Sequence, residues 1–411
     1  MDYDRKKWLE SEDGVLSVFT FVALNGHSAN NFCALSRAFW GDEVLWGCIK
    51  DRTSSKNGTR LICSAKKGNL ERVRSLLKFG ANIDESNFWG KNSLIYASQF
   101  GHLDVVRLLL DSGANDSGAT EVCPASLWYE RTGMTALMWA SEEGHLDVAR
   151  LLLDRGSNVN AAKTKNGMTS LMLAVETGRL DLARLLIDRG ANVNAGTFFY
   201  GRTSLILTSQ NCDSHLHLEL ARLLLDRGAN VNAATTNLGW TSLMWASKNC
   251  QMELASLLLD RGANVNAART NGMTSLMIAS QEGNLQVAEI LLDRGANVNA
   301  ARTDDGVTSL MFASRYGNPH MARLLLDRGA NVNAATTDNG WTSLMLASRE
   351  GHLELVRLLL DRDANVNASS TDNVFGGPVT SLFIANLKGH FDSARLLLDR
   401  GANVKDIDPN D

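Results

Sequence analysis

Four side chains able to bind a metal sit in one short polar stretch, Cys212, Asp213, His215 and His217, and a further thiol, Cys250, follows downstream. Thiolate, imidazole and carboxylate are the zinc ligand set, and helical layers about 10 Å apart would let such groups converge. No C-x-x-C or H-x-x-x-H spacing accompanies them, so the sequence assigns no metal and no cofactor. Nucleophilic chemistry has no better foothold. His102, His145, His352 and His390 each follow a glycine ahead of an apolar run, a placement repeated along the chain and therefore read as structural. Serine and aspartate recur in the same repeated way, so no serine, histidine and aspartate set stands apart as a triad. Gly90-Lys91-Asn92-Ser93 lacks the upstream glycine and the Lys-Ser/Thr step of a phosphate loop. Adjacent Glu142 and Glu143 point to different helix faces and make no acid–base pair. These residues predict a protein that is not an enzyme.

The elements that carry them come in copies. The stretch 167–195, GMTSLMLAVETGRLDLARLLIDRGANVNA, returns with small changes, and the glycines at 133, 167, 201, 239, 272, 306 and 340 lie 33 to 38 residues apart. A unit of that length cannot bury its apolar face alone and must stack on its neighbours. Within it, Thr169 is placed to N-cap a short first helix over Ser170-Leu171-Met172-Leu173-Ala174, and Gly178 ends that helix. Leu182, Leu185 and Leu186 form the buried stripe of a second helix while Asp181, Arg184 and Asp188 face water. Gly190 supplies the left-handed residue that closes the second helix, and Asn192-Val193-Asn194-Ala195 leads into a polar turn projecting as an extended finger.

Two short antiparallel helices, a projecting turn and a closing GANVNA together resemble the ankyrin repeat. The resemblance runs from NGTRLICSAKKGNLERVRSLLKFGANID to TSLFIANLKGHFDSARLLLDRGANVK, and we count ten copies. It implies an all-α solenoid of helix-turn-helix units with hairpin-like fingers, acting as a scaffold or adaptor that binds partner proteins on a concave face. The domain reading is residues 1–52 as a separate helical element, 53–406 as the array and 407–411 as a tail. Where the family has Thr-Pro-Leu-His, this chain has Thr-Ser-Leu-Met at 169–172, 241–244, 274–277, 308–311 and 342–345. The helix start thereby loses a fixed φ, and methionine fills the histidine's place with soft apolar volume.

Bulk properties narrow the setting. The chain has 411 residues, 44% of them apolar and 21% charged, with a formal net charge of −4. That charge provides no basic field for nucleic acid. Six cysteines follow no paired spacing and none lies beyond Cys250, so a reduced, intracellular chain is expected, cytoplasmic in preference to nuclear, and monomeric. The apolar run Val15–Leu24 is too short to cross a bilayer, and Glu10, Glu12 and Asp13 separate it from Arg5, Lys6 and Lys7, unlike a secretory leader.

Residues 1–52 depart from the repeat. VLSVFTFVAL, a polar joint, then FCALSRAFWGDEVLW resemble an F-box without its opening Leu-Pro, with Leu16, Phe19, Leu35, Phe39, Leu45 and Trp46 as framework. That resemblance implies docking to a ubiquitin-ligase linker subunit, with the repeats choosing the substrate. The other reading is a cap over the apolar flank of the first repeat. Between Asn115 and Arg131 the finger swells and carries Trp128 and Tyr129, either gripping a partner or folding back on the helices.

Comparing the copies separates scaffold from variable surface. The second helix and its exit read LLLDRGANVNA almost unchanged, whereas the position before the capping threonine reads Met134, Met168, Arg202, Trp240, Met273, Val307, Trp341 and Val379. Packed finger bases would show such a row, but rotamer-poor tryptophans on a rim suit an interface, and the sequence favours partner binding there. Arg315-Tyr316 and Arg349, just before the interhelix glycines, add charge to the same face. The uniformly apolar column Trp139, Leu173, Leu207, Trp245, Ile278, Phe312, Leu346 and Ile384 is expected to be core.

Overall fold

The computed structural model describes residues 56–87, 90–116, 133–211, 214–371 and 379–403. The chain divides into two compact units, residues 1–192 and 193–411. Among the described residues there are 20 helices in ten pairs. In the first unit the first helices are α1 (Lys56–Lys66), α3 (Ser93–Gln99), α5 (Ala136–Glu143) and α7 (Ser170–Glu176), and the second helices are α2 (Leu70–Lys78), α4 (Leu103–Asp111), α6 (Leu146–Asp154) and α8 (Leu180–Asp188). In the second unit the first helices are α9 (Ser204–Gln210), α11 (Ser242–Lys248), α13 (Ser275–Glu282), α15 (Ser309–Arg315), α17 (Ser343–Glu350) and α19 (Ser381–Leu387). Their partners are α10 (Ser214–Asp226), α12 (Met252–Asp260), α14 (Leu285–Asp293), α16 (Pro319–Asp327), α18 (Leu353–Leu360) and α20 (Phe391–Asp399). Within each unit every first helix packs on its own partner and on the first helix of the next pair. No helix among the described residues is long and apolar enough to cross a membrane.

The capping threonines act as their positions predict. Thr169 Oγ1 accepts the Met172 N–H at 3.4 Å, and Thr203, Thr241, Thr274, Thr308, Thr342 and Thr380 repeat the contact. The methionines that follow, Met172, Met244, Met277, Met311 and Met345, are fully buried. The stripe Leu182, Leu185 and Leu186 is buried and Gly190 has φ +85°. Fingers close by single antiparallel bridges such as Ala162 to Thr169 and Ala335 to Thr342, and the last becomes a two-residue ladder of β1 (Ser369–Ser370) with β2 (Val379–Thr380).

The near-constant exit sequence is accounted for by bonds between repeats. In the second unit Asn299 Nδ2 donates to the Gly329 carbonyl at 3.0 Å, and its Oδ1 accepts the Asn331 N–H at 2.7 Å. Asn194, Asn232, Asn266, Asn333 and Asn367 make the same double contact, as does Asn160 in the first unit. The Asp-Arg pair runs in parallel: Arg328 reaches Asp293 at 3.0 Å and Arg362 reaches Asp327 at 2.7 Å. The four histidines are structural, as expected from their repetition. Each ring pairs with a backbone carbonyl of the preceding repeat, His145 Nε2 with Gln99 O at 3.0 Å, for example. That ring requires the glycine at 101, whose φ is +73° and where a Cβ would lie 2.6 Å from His145.

Two described residues other than glycine occupy left-handed backbone: Cys250 at φ +57°, in an interhelix glycine position, and Asp363 at φ +63°, in a helix-closing one. Asp363→Gly is expected to raise stability by about 1 kcal/mol, read as a higher thermal midpoint. Asn299→Ala, which removes both halves of one clasp, should lower stability by about 2 kcal/mol in the same measurement.

Candidate functional site

In the second unit, the finger bases and the last turns of the first helices make up the surface that varies. Each finger base is a backbone pair: Thr235 N–H donates to the Trp240 carbonyl and Trp240 N–H to Thr235 Oγ1, both at 2.9 Å. Thr336 holds Trp341, and Thr197 holds Arg202, in the same way. In two successive fingers the threonine is replaced by arginine: Arg302 pairs with Val307 through the backbone, and Arg269 with Met273 through the backbone and a 3.6 Å contact of its Nη1 with the Met273 sulfur. Adjacent finger tips are tied by backbone bonds as well, Thr303 N–H to Asn271 O at 3.0 Å and Thr337 N–H to Asp305 O at 2.9 Å.

Aromatic rings and cations alternate along this surface. Trp240 and Trp245 stack at 4.4 Å between centroids. The Arg269 guanidinium lies 4.6 Å from the Trp240 ring centroid, and Lys248 Nζ lies 5.3 Å from that of Trp245. The Arg349 guanidinium is 5.2 Å from the Trp341 ring centroid, and Arg315 stands over Tyr316. An open pocket of about 230 Å³ is lined by Arg302, Arg315 and Arg349 around Phe312 and Trp341. Burial lowers the Arg269 pKa, and the positive charge of Arg302 lowers it further. Arg302 is shifted up, chiefly by its hydrogen bond to Asp304, whose own carboxyl is correspondingly lowered. Trp245 Nε1 and Arg269 Nε are buried with no acceptor among the described residues.

Stacked helix pairs with projecting fingers agree with a family description that the sequence matches. A model of ankyrin repeats, three copies long, fits residues 43–121, 116–197, 162–235, 192–269, 212–302, 276–370 and 336–408. The chain belongs to the ankyrin-repeat family. Ankyrin repeats are protein-interaction modules, so this chain carries a protein-interaction domain. No curated protein matches it significantly.

The ankyrin fold distributes the expected contact column unevenly. Met134, Met168 and Met273 are buried, and Trp341 is only 8% exposed, packed with Met311, Met345, Leu346, Val379 and Ile384. The expectation of a solvent-facing contact column is corrected at these four positions and at the fully buried Val379: each finger base folds over the neighbouring first helices, so an apolar side chain there fills core. Arg202, Trp240, Val307 and Arg349 are half-buried, while Arg315 and Tyr316 are exposed. The apolar column is buried as read, except that Trp245 is half-buried against Trp240. Trp128 and Tyr129, and the F-box-like residues 1–52, lie outside the described residues. So do Cys212 and Asp213. His217 Nε2 lies 3.4 Å from the Asn211 amide, Cys250 is exposed, and no group of three metal-binding side chains occurs among the described residues.

Sequence reasoning passed over two features. Lys248, Arg269 and Arg302 belong to columns that are polar in nearly every copy, so their convergence on aromatic rings was hidden. Phe198, Phe199 and Tyr200 form a finger tip 61%, 67% and 47% exposed. Comparing tip residues across copies would have exposed it, since the other described tips of this unit are mainly Thr, Asn and Asp. Trp341→Ala is expected to cost about 3 kcal/mol or more of stability, whereas Phe199→Ser should stay within about 0.5 kcal/mol. Thermal melting of the two variants tests this division between core and surface.

Proposed function

We propose that this chain is a scaffold or adaptor that holds a partner protein against the finger bases and first helices of its second unit. Trp240, Arg315, Tyr316 and Arg349 are the contact residues within reach of solvent, with Arg202 at one end. The proposal also places the chain inside the cell, where the exposed thiols Cys63 and Cys250 stay reduced. One observation carries the reading. The exit of the second helices is nearly the same in every copy and its polar groups are engaged between repeats, whereas the opposite surface changes from copy to copy and mixes half-exposed tryptophan with arginine, the composition of interface hot spots.

A photo-crosslinking amino acid placed at Tyr316 should capture a discrete partner in cells, and the same residue at Arg323, exposed on α16, should not. Capture from Arg323 with none from Tyr316 would move the binding surface to the second helices.

A further inference from the structure

The cations of the second unit differ in how they are neutralised. Arg302 is held by Asp304 and Asp305, with its Nε 3.0 Å from Asp304 Oδ1, and Arg349 is held by Glu350 at 2.7 Å. Lys248, Arg269 and Arg315 have no carboxylate within ion-pair distance among the described residues. Arg269 is the most exposed to this imbalance. It is half-buried against Trp240, it faces the positive Arg302, and its Nε–H is buried with no acceptor. An unsatisfied buried donor costs about 1–3 kcal/mol, and a like charge nearby adds to that cost. The neighbouring Trp245 Nε1–H is a second buried donor without an acceptor. Both donors belong to side chains of the surface assigned above to a partner, packed against Trp240.

Building on that assignment, we infer that the partner segment is acidic: an extended stretch of protein chain that sets carboxylates on Lys248, Arg269 and Arg315 and lays one apolar side chain in the pocket beside Trp341. Carboxylates would supply the counter-charge that Lys248, Arg269 and Arg315 lack and would offset the repulsion between Arg269 and Arg302. Arginine binds them through paired, charge-assisted hydrogen bonds. The pocket suits the apolar side chain because Val307, Phe312, Trp341 and Leu346 line it together with Arg302, Arg315 and Arg349. Nucleic acid fits less well. Asp304, Asp305 and Asp338 stand at the finger tips beside the cations, and a backbone with one charge at every step would run against them. A peptide can space its carboxylates to avoid them. Successive repeats about 10 Å apart make the span from Lys248 to Arg349 one for about nine extended residues.

The test uses the full chain and fluorescence anisotropy of a labelled peptide of about a dozen residues, glutamates around one central phenylalanine. Its glutamine counterpart and a single-stranded oligonucleotide of similar length complete the probe set. The glutamate peptide should bind about tenfold or more tighter than either of the others, and should weaken as sodium chloride rises from about 50 to about 500 mM. The double variant Lys248→Gln, Arg269→Gln should lose about tenfold in affinity with a melting midpoint no lower than that of the parent chain, while Arg323→Gln on α16 should lose none. Equal binding of the glutamine peptide, preference for the oligonucleotide, or full affinity in the double variant would overturn the inference. If the acidic probe fails while crosslinking from Tyr316 persists, the partner is not acidic but the interaction surface stands. If both fail, the surface itself is wrongly placed.

Discussion

The asparagine that ends each exit sequence joins one ankyrin repeat to the next, and the rest of each unit depends on that joint. A single amide both donates to the carbonyl of the next closing glycine position and accepts the N–H two residues beyond it, as Asn299 does with Gly329 and Asn331. Helix ends leave backbone carbonyls and amides without partners, and here the preceding repeat supplies them. Because every contact is made to a neighbour, stability comes from pairs of repeats more than from any one of them. The same dependence explains why the back of the array barely varies. Changing the aspartate, the arginine or the final asparagine of Asp-Arg-Gly-Ala-Asn-Val-Asn disturbs two repeats.

That joint needs the chain to turn sharply after each helix, so the left-handed positions are the second constraint. Glycine meets it almost everywhere, with Cys250 and Asp363 as the described departures. At Asp363 the clasp is retained, since Asn333 Nδ2 still donates to its carbonyl at 3.2 Å. The array therefore tolerates a strained residue where the neighbouring contacts hold the backbone in place.

A fixed back frees the opposite surface to differ. Substituting arginine for threonine at 269 and 302 leaves the finger's backbone pairing intact, yet it sets two like charges within electrostatic reach of one another, with Arg269 over the Trp240 ring. On the proposed reading stability and recognition draw on different atoms of the same finger: its backbone and apolar base hold the stack, and its polar side chains would meet the partner. Trp341 lies on the boundary, with one face in the core and Arg349 over its ring.

The repeat period, the threonine caps, the leucine stripe and the left-handed turns were all legible in the sequence, because each depends on residues three or four apart or on one residue's own backbone preference. The structural role of the histidines was legible for a related reason: a residue repeated with the period must do what the period does. Burial of Met134, Met168, Met273 and Trp341 was decided only by tertiary structure, since whether a finger base is rim or core depends on how closely the adjoining repeat folds beneath it. The same holds for Arg269, whose isolation arises from residues about one repeat away, Arg302 and Trp240. A chain of near-identical copies announces its architecture in any one copy. What distinguishes the copies acts between them, so the candidate site emerged only when neighbouring repeats were set side by side.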